Sequence, residues 1–219
     1  MKVFVCDCET TGLPRKRTAC PSEIHLYDTS RLLEFAYIIY DTTTNTKISE
    51  YTNLIKPDNF EVRATHVHGI TTKMAETGIP INQLFDDLEL VIDQFECIVA
   101  HNINFDMRII LSEMYRYKRF KLHDMFLSKK LLCTMLTGAK AFTNKSTISL
   151  VDLTENLGLP PFIGHHSLVD SQAALDCLIA MKEKKIKFEN WKHNISKIEL
   201  DDIISYHLKI NNEYVHFEK

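Results

Sequence analysis

The stretch Val3–Leu13 reads Val-Phe-Val-Cys-Asp-Cys-Glu-Thr-Thr-Gly-Leu, and the rest of the chain is organised around it. Its apolar start, rich in β-branched and aromatic residues, is typical of a strand buried on both faces. Asp7 and Glu9 follow at a spacing of two residues, which places both carboxylates on one face of that strand. Two buried like charges repel each other, so the pair makes physical sense if a divalent cation lies between them. The alternative is a strand end whose acids face water.

The composition is that of an ordinary globular protein. The 219 residues are 45% hydrophobic and 25% charged, with a formal net charge of -3. This length supports one sizeable domain with a buried core. The net charge argues against wholesale coating of nucleic acid, but it permits a local basic track. The sequence contains no signal-peptide pattern and no apolar run long enough to span a bilayer, so we expect an intracellular, soluble protein with no membrane partner.

The six cysteines, at positions 6, 8, 20, 97, 133 and 177, include no Cys-x-x-Cys pair. A zinc site is therefore not expected. Cys6 and Cys8 alternate with the two carboxylates, so they should point to the opposite face of the strand, into the core. We therefore predict that the cysteines are small, buried, hydrophobic side chains of a protein in a reducing compartment.

Periodicity along the chain predicts strands and helices in an order typical of an α/β domain. Residues 31–41 and 47–55 resemble the strands of a hairpin, so the first three strands should form a meander. Later segments predict strand–helix units that add parallel strands to the sheet. They are helix 81–96, strand 97–100, a helix to about 118, strand 131–135, a polar loop 138–147, a helix to 157 and a helix from 167 to about 185.

Residues 14–30 interrupt this pattern and are predicted to form a long surface loop. The triplet Arg15-Lys16-Arg17 lies just past the strand that carries the two acids. It is either a solvated charge run or a contact to the phosphate backbone of a nucleic acid.

Two further acids follow histidine residues. In His101-Asn102-Ile103-Asn104-Phe105-Asp106, Asn104 is predicted to cap a helix, which places Asp106 in its first turn. An acid there also has an ordinary explanation, because it complements the helix dipole. Asp170 falls early on the helix that starts at Ser167, and His165 falls on the loop that enters it. A loop histidine is free to move, which suits a proton carrier.

Three segments together resemble the motifs of the DEDD exonuclease superfamily, the DnaQ-like, proofreading-type 3′→5′ exonucleases. They are Asp-x-Glu-Thr-Thr-Gly-Leu at 7–13, His-Asn-x-x-Phe-Asp at 101–106, and His165 followed after four residues by Asp170. The motifs occur in the family's order, which is more specific than any one of them. The subclass that uses tyrosine carries it at the position of His166. The chain therefore resembles the His subclass, with the general base assigned to His165 by spacing and His166 treated as a loop residue.

The resemblance implies a ribonuclease-H-like α/β fold, with a mixed sheet of about five strands flanked by helices. It also implies two divalent cations, Mg²⁺ or Mn²⁺, held by four carboxylates. By this resemblance Asp7 bridges both cations, Glu9 and Asp170 complete the first site, and Asp106 holds the second. His165 then takes a proton from the attacking water.

The implied reaction is hydrolysis of phosphodiester bonds from the 3′ end of a nucleic acid, releasing nucleoside 5′-monophosphates, in DNA repair or proofreading. Single-stranded DNA is the expected substrate. RNA is the alternative, because the sequence identifies no contact to a 2′-hydroxyl group. The resemblance places eight residues beside the terminal nucleotide: Thr10, Thr11, Gly12, Leu13, Val67, His68, Asn102 and Phe105.

We predict an exonuclease domain at residues 1–186 and a C-terminal helical extension at residues 187–219. The core elements are complete by residue 187, and residues 195–208 have moderate helical periodicity. The extension either packs on the domain or binds a partner, such as a polymerase or another replication protein. In the second case the chain is a proofreading module that docks on that partner.

Overall fold

A five-stranded mixed sheet lies at the centre of this computed structural model, which describes residues 1–188. Its strand order is β3-β2-β1-β4-β5, with β1 at Lys2–Thr10, β2 at Leu32–Asp41, β3 at Thr46–Leu54, β4 at Cys97–Ala100 and β5 at Lys130–Cys133. The first three strands form an antiparallel meander, and β4 and β5 run parallel to β1. The predicted mixed sheet is therefore confirmed. The predicted C-terminal extension lies outside the described residues, apart from Lys187 and Phe188.

Helices cover both faces of the sheet. Within residues 1–188 they are α1 (Thr65–His68), α2 (Thr72–Ala75), α3 (Ile81–Val91), α4 (Ile103–Arg116), α5 (Phe120–Ser128), α6 (Thr134–Phe142), α7 (Leu150–Leu157) and α8 (Ser167–Glu183). This architecture is that of the ribonuclease-H-like fold, as predicted. Among the helices of this described part, none is long and apolar enough to cross a membrane.

Side chains of β1 alternate between two cores. Phe4, Cys6 and Cys8 pack with α3, α4 and α5, while Val3 and Val5 pack with α8. This alternation follows from the period of two residues along a strand. It places the next odd-numbered residues of β1 on the side of α8. All six cysteines are free thiols, and all but the half-buried Cys20 are buried, as predicted.

Helix α4 begins earlier than predicted, and the assignment of Asn104 as its N-cap is wrong. Asn102 precedes the helix instead, with a left-handed backbone at φ 82°. Its carbonyl oxygen accepts a hydrogen bond from the N–H of Phe105 at 2.8 Å. Asparagine tolerates the left-handed region, so the chain turns directly from β4 into α4. Asp106 still lies in the first turn of the helix.

Residues 134–142 form helix α6, where the sequence predicts the end of a strand and a polar loop. Gly138, which we interpreted as the start of that loop, is instead a packing position. A Cβ atom there would lie 2.6 Å from Cδ1 of Leu153 in α7. The glycine therefore allows α6 and α7 to approach closely, and tertiary packing overrides the local turn signal.

The segment 14–30 is packed on α4, although the sequence predicts only a surface loop. Tyr27 is fully buried, and its hydroxyl donates to the carbonyl oxygen of Ala19 at 2.6 Å. Arg108 of α4 donates to the same carbonyl oxygen at 2.6 Å. The triplet Arg15-Lys16-Arg17 remains exposed. The segment is thus held on α4 by these hydrogen bonds, while its basic side chains face solvent.

Candidate active site

Three carboxylates meet where β1 ends and α8 begins. One oxygen atom from each of Asp7, Glu9 and Asp170 lies within 4.8 Å of the others. Asp7 and Glu9 share the face of β1 that packs against α8, and Asp170 lies in the first turn of that helix. Two elements that are far apart in sequence therefore supply one cluster of acids.

Asp106 is a fourth carboxylate next to this cluster, buried in the first turn of α4 with 2% of its surface exposed. Sγ of Cys8 donates to Oδ1 of Asp106 at 3.4 Å. Backbone N–H groups of Cys8 and of Asp106 itself also bind this carboxylate. After burial, the charge of Asp106 has the largest effect on the pKa of Asp7. Asp7 thus interacts both with Asp106 and with the other two acids of the cluster, Glu9 and Asp170.

Burial and mutual repulsion raise the pKa values of these acids. Burial, followed by the charges of Asp106 and Asp170, raises the pKa of Asp7 well above its usual value. Burial and the charge of Asp170 raise the pKa of Glu9 to about 7. Burial, with a smaller effect from the charge of Asp170, raises the pKa of Asp106 to about 7, against the opposing effect of its hydrogen bonds. Burial also raises the pKa of Asp170.

These residues fit a divalent cation that prefers oxygen ligands. Mg²⁺ and Mn²⁺ are bound in proteins by carboxylates and water, whereas zinc prefers cysteine and histidine ligands. A cation placed between the acids would remove the repulsion that raises their pKa values. The donor atoms of the cluster therefore match the class of metal that the sequence predicts.

Without metal, we expect the stability of the folded protein to fall as the pH rises from about 5 to about 8. Glu9 and Asp106 titrate near 7 in the folded chain, and near about 4 in the unfolded chain. The folded chain holds more protons in this window, so stability that is fully present below pH ~4 is lost as the pH rises through ~7. The melting temperature in EDTA should therefore decrease over this range. Millimolar Mg²⁺ should restore it at the alkaline end.

Other groups titrate over the same range, so Glu9→Gln serves as the internal reference for this measurement. The variant lacks one of the shifted carboxyl groups, and its melting temperature should fall less steeply with pH. Parallel curves for the two proteins in EDTA would contradict the expected linkage.

His165 lies on the loop before α8 and has a left-handed backbone, with φ 70°. Its backbone N–H donates to Oδ2 of Asp170 at 2.8 Å, and its side chain is exposed. The neighbouring Gly164 approaches the same acid, because a Cβ atom there would lie 3.1 Å from Oδ1 of Asp170. The loop is therefore folded closely over Asp170. Left-handed backbone at a non-glycine residue clusters at functional sites.

His166 faces a different group from His165. Its Nδ1 atom lies 3.9 Å from Oε1 of Glu34 on β2. The two histidines, which the sequence separates only by motif spacing, thus differ in their surroundings. His165 is tied by its backbone to the carboxylate cluster, and His166 is directed at the neighbouring strand.

The turn after β1 is held together by its own threonine residues. Oγ1 of Thr10 donates to the carbonyl oxygen of Gly12 at 2.7 Å, and Oγ1 of Thr11 accepts a backbone N–H at 2.9 Å. Gly12 adopts φ 147°, and a Cβ atom there would lie 3.1 Å from a carbonyl oxygen of the neighbouring segment. Both threonine side chains are buried, whereas Leu13 is 59% exposed. The threonine side chains of the turn are therefore used within the protein, while Leu13 faces solvent.

Leu13, Asn102 and Phe105 line one cavity of about 720 Å³. Arg17 from the 14–30 segment and Arg108 from α4 also line this cavity, so cationic, amide and apolar groups face one space. Phe105 immediately precedes Asp106 in the chain. The remaining lining residues are Pro14, His101, Asn104, Met135, Thr147, Ile148, Ser149 and Leu150.

Val67 and His68 lie in the short helix α1 and are not among the residues that line this cavity. His68 is buried, and its Nδ1 accepts the backbone N–H of Ile70 at 3.0 Å. Its Nε2 therefore carries the proton and donates to the carbonyl oxygen of Arg63 at 2.9 Å. Both ring nitrogens are engaged locally. Val67 is 46% exposed and is the member of this pair whose side chain can reach a ligand.

Two residues that shape the site were given no role in the sequence-based prediction, His101 of the second motif and Glu34. The ring of His101 bonds Oγ1 of Thr134 and the carbonyl oxygen of Ile148, both at 3.0 Å. Burial lowers the pKa of His101 to about 4, so it is a neutral link between β4 and the cavity wall. Glu34 stands opposite Glu9 in the pairing of β1 with β2. Counting residues across the predicted hairpin would have placed Glu34 near the acids, but would not have shown its partners.

The sequence of this chain is similar to known nucleases and polymerases. The family RNase_T, described as Exonuclease, matches residues 4–178. The DNA polymerase III PolC-type proteins of Thermotoga petrophila and Thermotoga maritima are 30% and 29% identical to it over 164 residues. These alignments cover 73% of this chain and 11% of the length of each relative. The chain therefore spans only a small part of the curated relatives that it matches.

Solved structures with the same fold include proteins bound to nucleic acids. One is a 3′-exonuclease that recognises the 3′ end of a histone mRNA stem-loop. It has a TM-score of 0.67 and 14% identity, and the match covers 86% of this chain and 84% of that chain. Another is E. coli Exonuclease I in complex with a dA16 oligonucleotide, with a TM-score of 0.60, 18% identity, and coverage of 83% of this chain and 41% of that chain. At these identities the similarity concerns the fold alone.

Proposed function

This chain belongs to the exonuclease family, and we propose that it is a nuclease of the DEDD type, His subclass, that removes nucleotides from the 3′ end of single-stranded DNA. The products are nucleoside 5′-monophosphates, and the reaction depends on two divalent cations. The observation that carries this proposal is the meeting of Asp7, Glu9 and Asp170 within 4.8 Å of one another, beside the buried Asp106 and the exposed His165.

Four acids would hold the cations, Mg²⁺ or Mn²⁺. Asp7 would contribute to both sites, since it interacts with Asp106 and also belongs to the cluster with Glu9 and Asp170. Glu9 and Asp170 would complete one site, and Asp106 the other. When bound, such ions neutralise phosphate charge and lower the pKa of water.

His165 is the proposed general base. A general base must reach the proton that it removes, and a side chain on an exposed loop is able to do so. The bond from the backbone N–H of His165 to Asp170 holds the base next to the acids without using its imidazole ring. Asp170 thus has two tasks in this proposal: it binds metal and it positions the loop.

The cavity lined by Leu13, Asn102 and Phe105 is the proposed binding site for the terminal nucleotides. Its volume of about 720 Å³ is in the range of pockets that hold one small ligand, about 300–1,000 Å³. A volume of this size suits unpaired terminal nucleotides, which is why we propose a single strand as the substrate. Leu13 and Phe105 offer apolar surface to bases and sugars, and Asn102 offers hydrogen bonds. Such contacts tolerate any base sequence.

The test of this function is digestion of 5′-labelled single-stranded DNA and RNA of one sequence with Mg²⁺, with Mn²⁺ or with EDTA. We expect a ladder that shortens from the 3′ end with metal, free nucleoside 5′-monophosphates, and no cleavage in EDTA. Faster digestion of RNA would favour the alternative substrate. Early loss of the 5′ label, or cleavage in EDTA, would contradict the proposal.

Arg17→Ala should weaken substrate binding without slowing the chemical step. Arg17 is exposed and lines the cavity, so its guanidinium group can neutralise one backbone phosphate. Loss of one phosphate contact should make the plot of log KM against log salt concentration shallower by about 0.7 for a single strand. We expect a KM several-fold higher at low salt and an unchanged kcat.

The control for Arg17→Ala is Lys47→Ala. Lys47 is also an exposed cation, but it lies on β3 and pairs with Glu50 at 2.7 Å, away from the cavity. Its removal should change neither KM nor the salt dependence. Equal effects of the two substitutions would mean that general charge, and not a contact in the cavity, attracts the substrate.

A proofreading module attached to a polymerase is the second candidate function, and the similarity to PolC-type polymerases favours it. We propose a catalytic domain at residues 1–186 and a partner-binding extension at 187–219. Phe188, just past that boundary, still packs against two core clusters. The digestion is therefore repeated with a chain that ends at Phe188. Retained cleavage with loss of binding to a polymerase would support this division.

A further inference from the structure

Glu34 is a buried carboxylate that the proposed chemistry does not use. It lies on β2 with 8% of its surface exposed, directly opposite Glu9 in the pairing of β1 with β2. Burying a carboxylate is unfavourable unless hydrogen bonds satisfy it. The partners of Glu34 therefore indicate what it does.

Both hydrogen bonds of Glu34 go to the first residue of α8. Its Oε2 accepts from the backbone N–H of Ser167 at 2.9 Å and from the hydroxyl of the same serine at 2.7 Å. Its Oε1 lies 3.9 Å from Nδ1 of His166. Ser167 is fully buried, so water does not compete for these bonds.

Glu34 replaces the missing local cap of α8. His166 occupies the N-cap position but makes no side-chain capping bond. The first N–H groups of a helix lack partners within the helix, and a negative charge there is favoured by the helix dipole. In α8 a carboxylate from the sheet supplies this contact, and a side chain of the helix's own N-cap does not.

This contact links the two parts of the candidate site, which are the acids on β1 and the segment with His165 and Asp170 at the start of α8. Ser167 lies between His165 and Asp170 in sequence. Glu34 is paired across the sheet with Glu9, and the neighbouring strand β1 also carries Asp7. The bond from Glu34 to Ser167 therefore connects β2, the strand beside β1, to the loop that carries His165 and the helix that carries Asp170.

Glu34 is not placed as a further metal ligand. Oε2 of Glu34 is occupied by two donors from Ser167, and its Oε1 faces His166. Glu34 therefore contacts the segment that carries His165 and Asp170, and it is not one of the proposed metal ligands.

We propose that Glu34 is a positioning residue for the nuclease reaction, which fixes the start of α8 so that Asp170 and His165 stand at the correct distance from the acids of β1. This inference rests on the proposed function. Small displacements of reacting groups cost large factors in rate, so the bond between Glu34 and Ser167 controls kcat more than substrate binding.

The test compares Glu34→Ala, Glu34→Gln and Ser167→Ala with the unchanged chain, well below the melting temperature of each. Glu34→Ala should lower kcat by about 10²-fold, since displacement by about 1 Å has that effect. KM for a single-stranded oligonucleotide should stay within about threefold, because uniform binding is not affected. Glu34→Gln keeps an acceptor oxygen and should restore most of kcat. Ser167→Ala removes one of the two bonds and should lie between.

A second readout does not depend on catalysis. Hydrogen exchange of the backbone amides in residues 165–172 is measured in the metal-free protein. Glu34→Ala should accelerate this exchange, since the N–H of Ser167 loses its acceptor. The matched control is Asp87→Asn, which weakens the bond from the hydroxyl of Tyr51 to Asp87 at 2.9 Å, between β3 and α3. It should change neither the exchange in this segment nor kcat.

Three results would overturn the inference. One is a Glu34→Ala protein with kcat and amide exchange unchanged. Another is a folded Glu34→Gln protein as inactive as Glu34→Ala, which would assign Glu34 to the metal ligands. The third is an equal loss of kcat in Asp87→Asn, which would reduce the effect to general stability. Lack of metal-dependent cleavage by the unchanged chain is a separate outcome, which would reject the proposed function, while the amide exchange would still test the contact.

Discussion

Asp7→Asn is expected to abolish metal-dependent cleavage and, at the same time, to raise the melting temperature of the metal-free protein at alkaline pH. Asp7 is the acid that interacts with Asp106 and also belongs to the cluster with Glu9 and Asp170. Its loss should remove several kcal/mol of transition-state stabilisation. About 4 kcal/mol corresponds to a rate about 10³-fold lower, at about 1.4 kcal/mol for each factor of ten.

The gain in stability has an electrostatic cause. Burial and the charges of the neighbouring acids raise the pKa of Asp7 well above its usual value, so ionising it destabilises the folded chain. This cost is absent at acid pH, where the group is protonated in both states, and it grows as the pH rises from the usual carboxyl pKa towards the raised pKa. Asparagine carries no charge. Its advantage in EDTA should therefore grow as the pH rises above the usual carboxyl pKa of about 4, and it should disappear when Mg²⁺ stabilises the unchanged chain.

Asp41→Asn is the control with the opposite expectation for stability. Asp41 lies at the end of β2, and a hydrogen bond from Thr43 lowers its pKa below the usual value. Its substitution should leave activity unchanged and should not stabilise the protein. Full activity of folded Asp7→Asn would reject the proposed metal site, and a lower melting temperature at alkaline pH would reject the electrostatic argument.

His165→Ala should lower kcat by about 10²- to 10⁴-fold, the usual contribution of a general base. The substitution keeps the backbone N–H that donates to Asp170, so the loop retains its bond to the cluster. The imidazole ring is not part of the carboxylate cluster. The increase in melting temperature on addition of Mg²⁺ should therefore be preserved, in contrast to Asp7→Asn.

Two further substitutions separate the role of the ring from that of the loop. His165→Asn also lacks the base and should be as inactive as the alanine variant. Because asparagine tolerates the left-handed backbone at this position, its inactivity would be due to the missing ring and not to a changed loop. His166→Ala removes the ring that faces Glu34 and should lower kcat by less than about tenfold. A larger effect at His166 than at His165 would exchange the assignment of the base.

Local patterns were enough to predict most of the sheet. The alternation in β1 and the hairpin of β2 and β3 follow from a period of two residues, and the two parallel strands follow from the strand–helix units after residue 97. The errors came where a contact between distant segments outweighs a local signal. Gly138 permits close packing on Leu153 and does not mark a loop. Asn102 takes the left-handed conformation that starts α4.

The sequence by itself determined the family, the mixed sheet and the pairing of Asp7 with Glu9 on one face, because these depend on spacing and order along the chain. Only the tertiary structure decided which groups stand behind the acids. Cys8 binds Asp106, Glu34 binds Ser167, and the 14–30 segment packs on α4 beside the cavity. Each of these contacts joins residues far apart in the chain through side-chain geometry. No local periodicity encodes such a contact, since it exists only when the strands and helices are packed together.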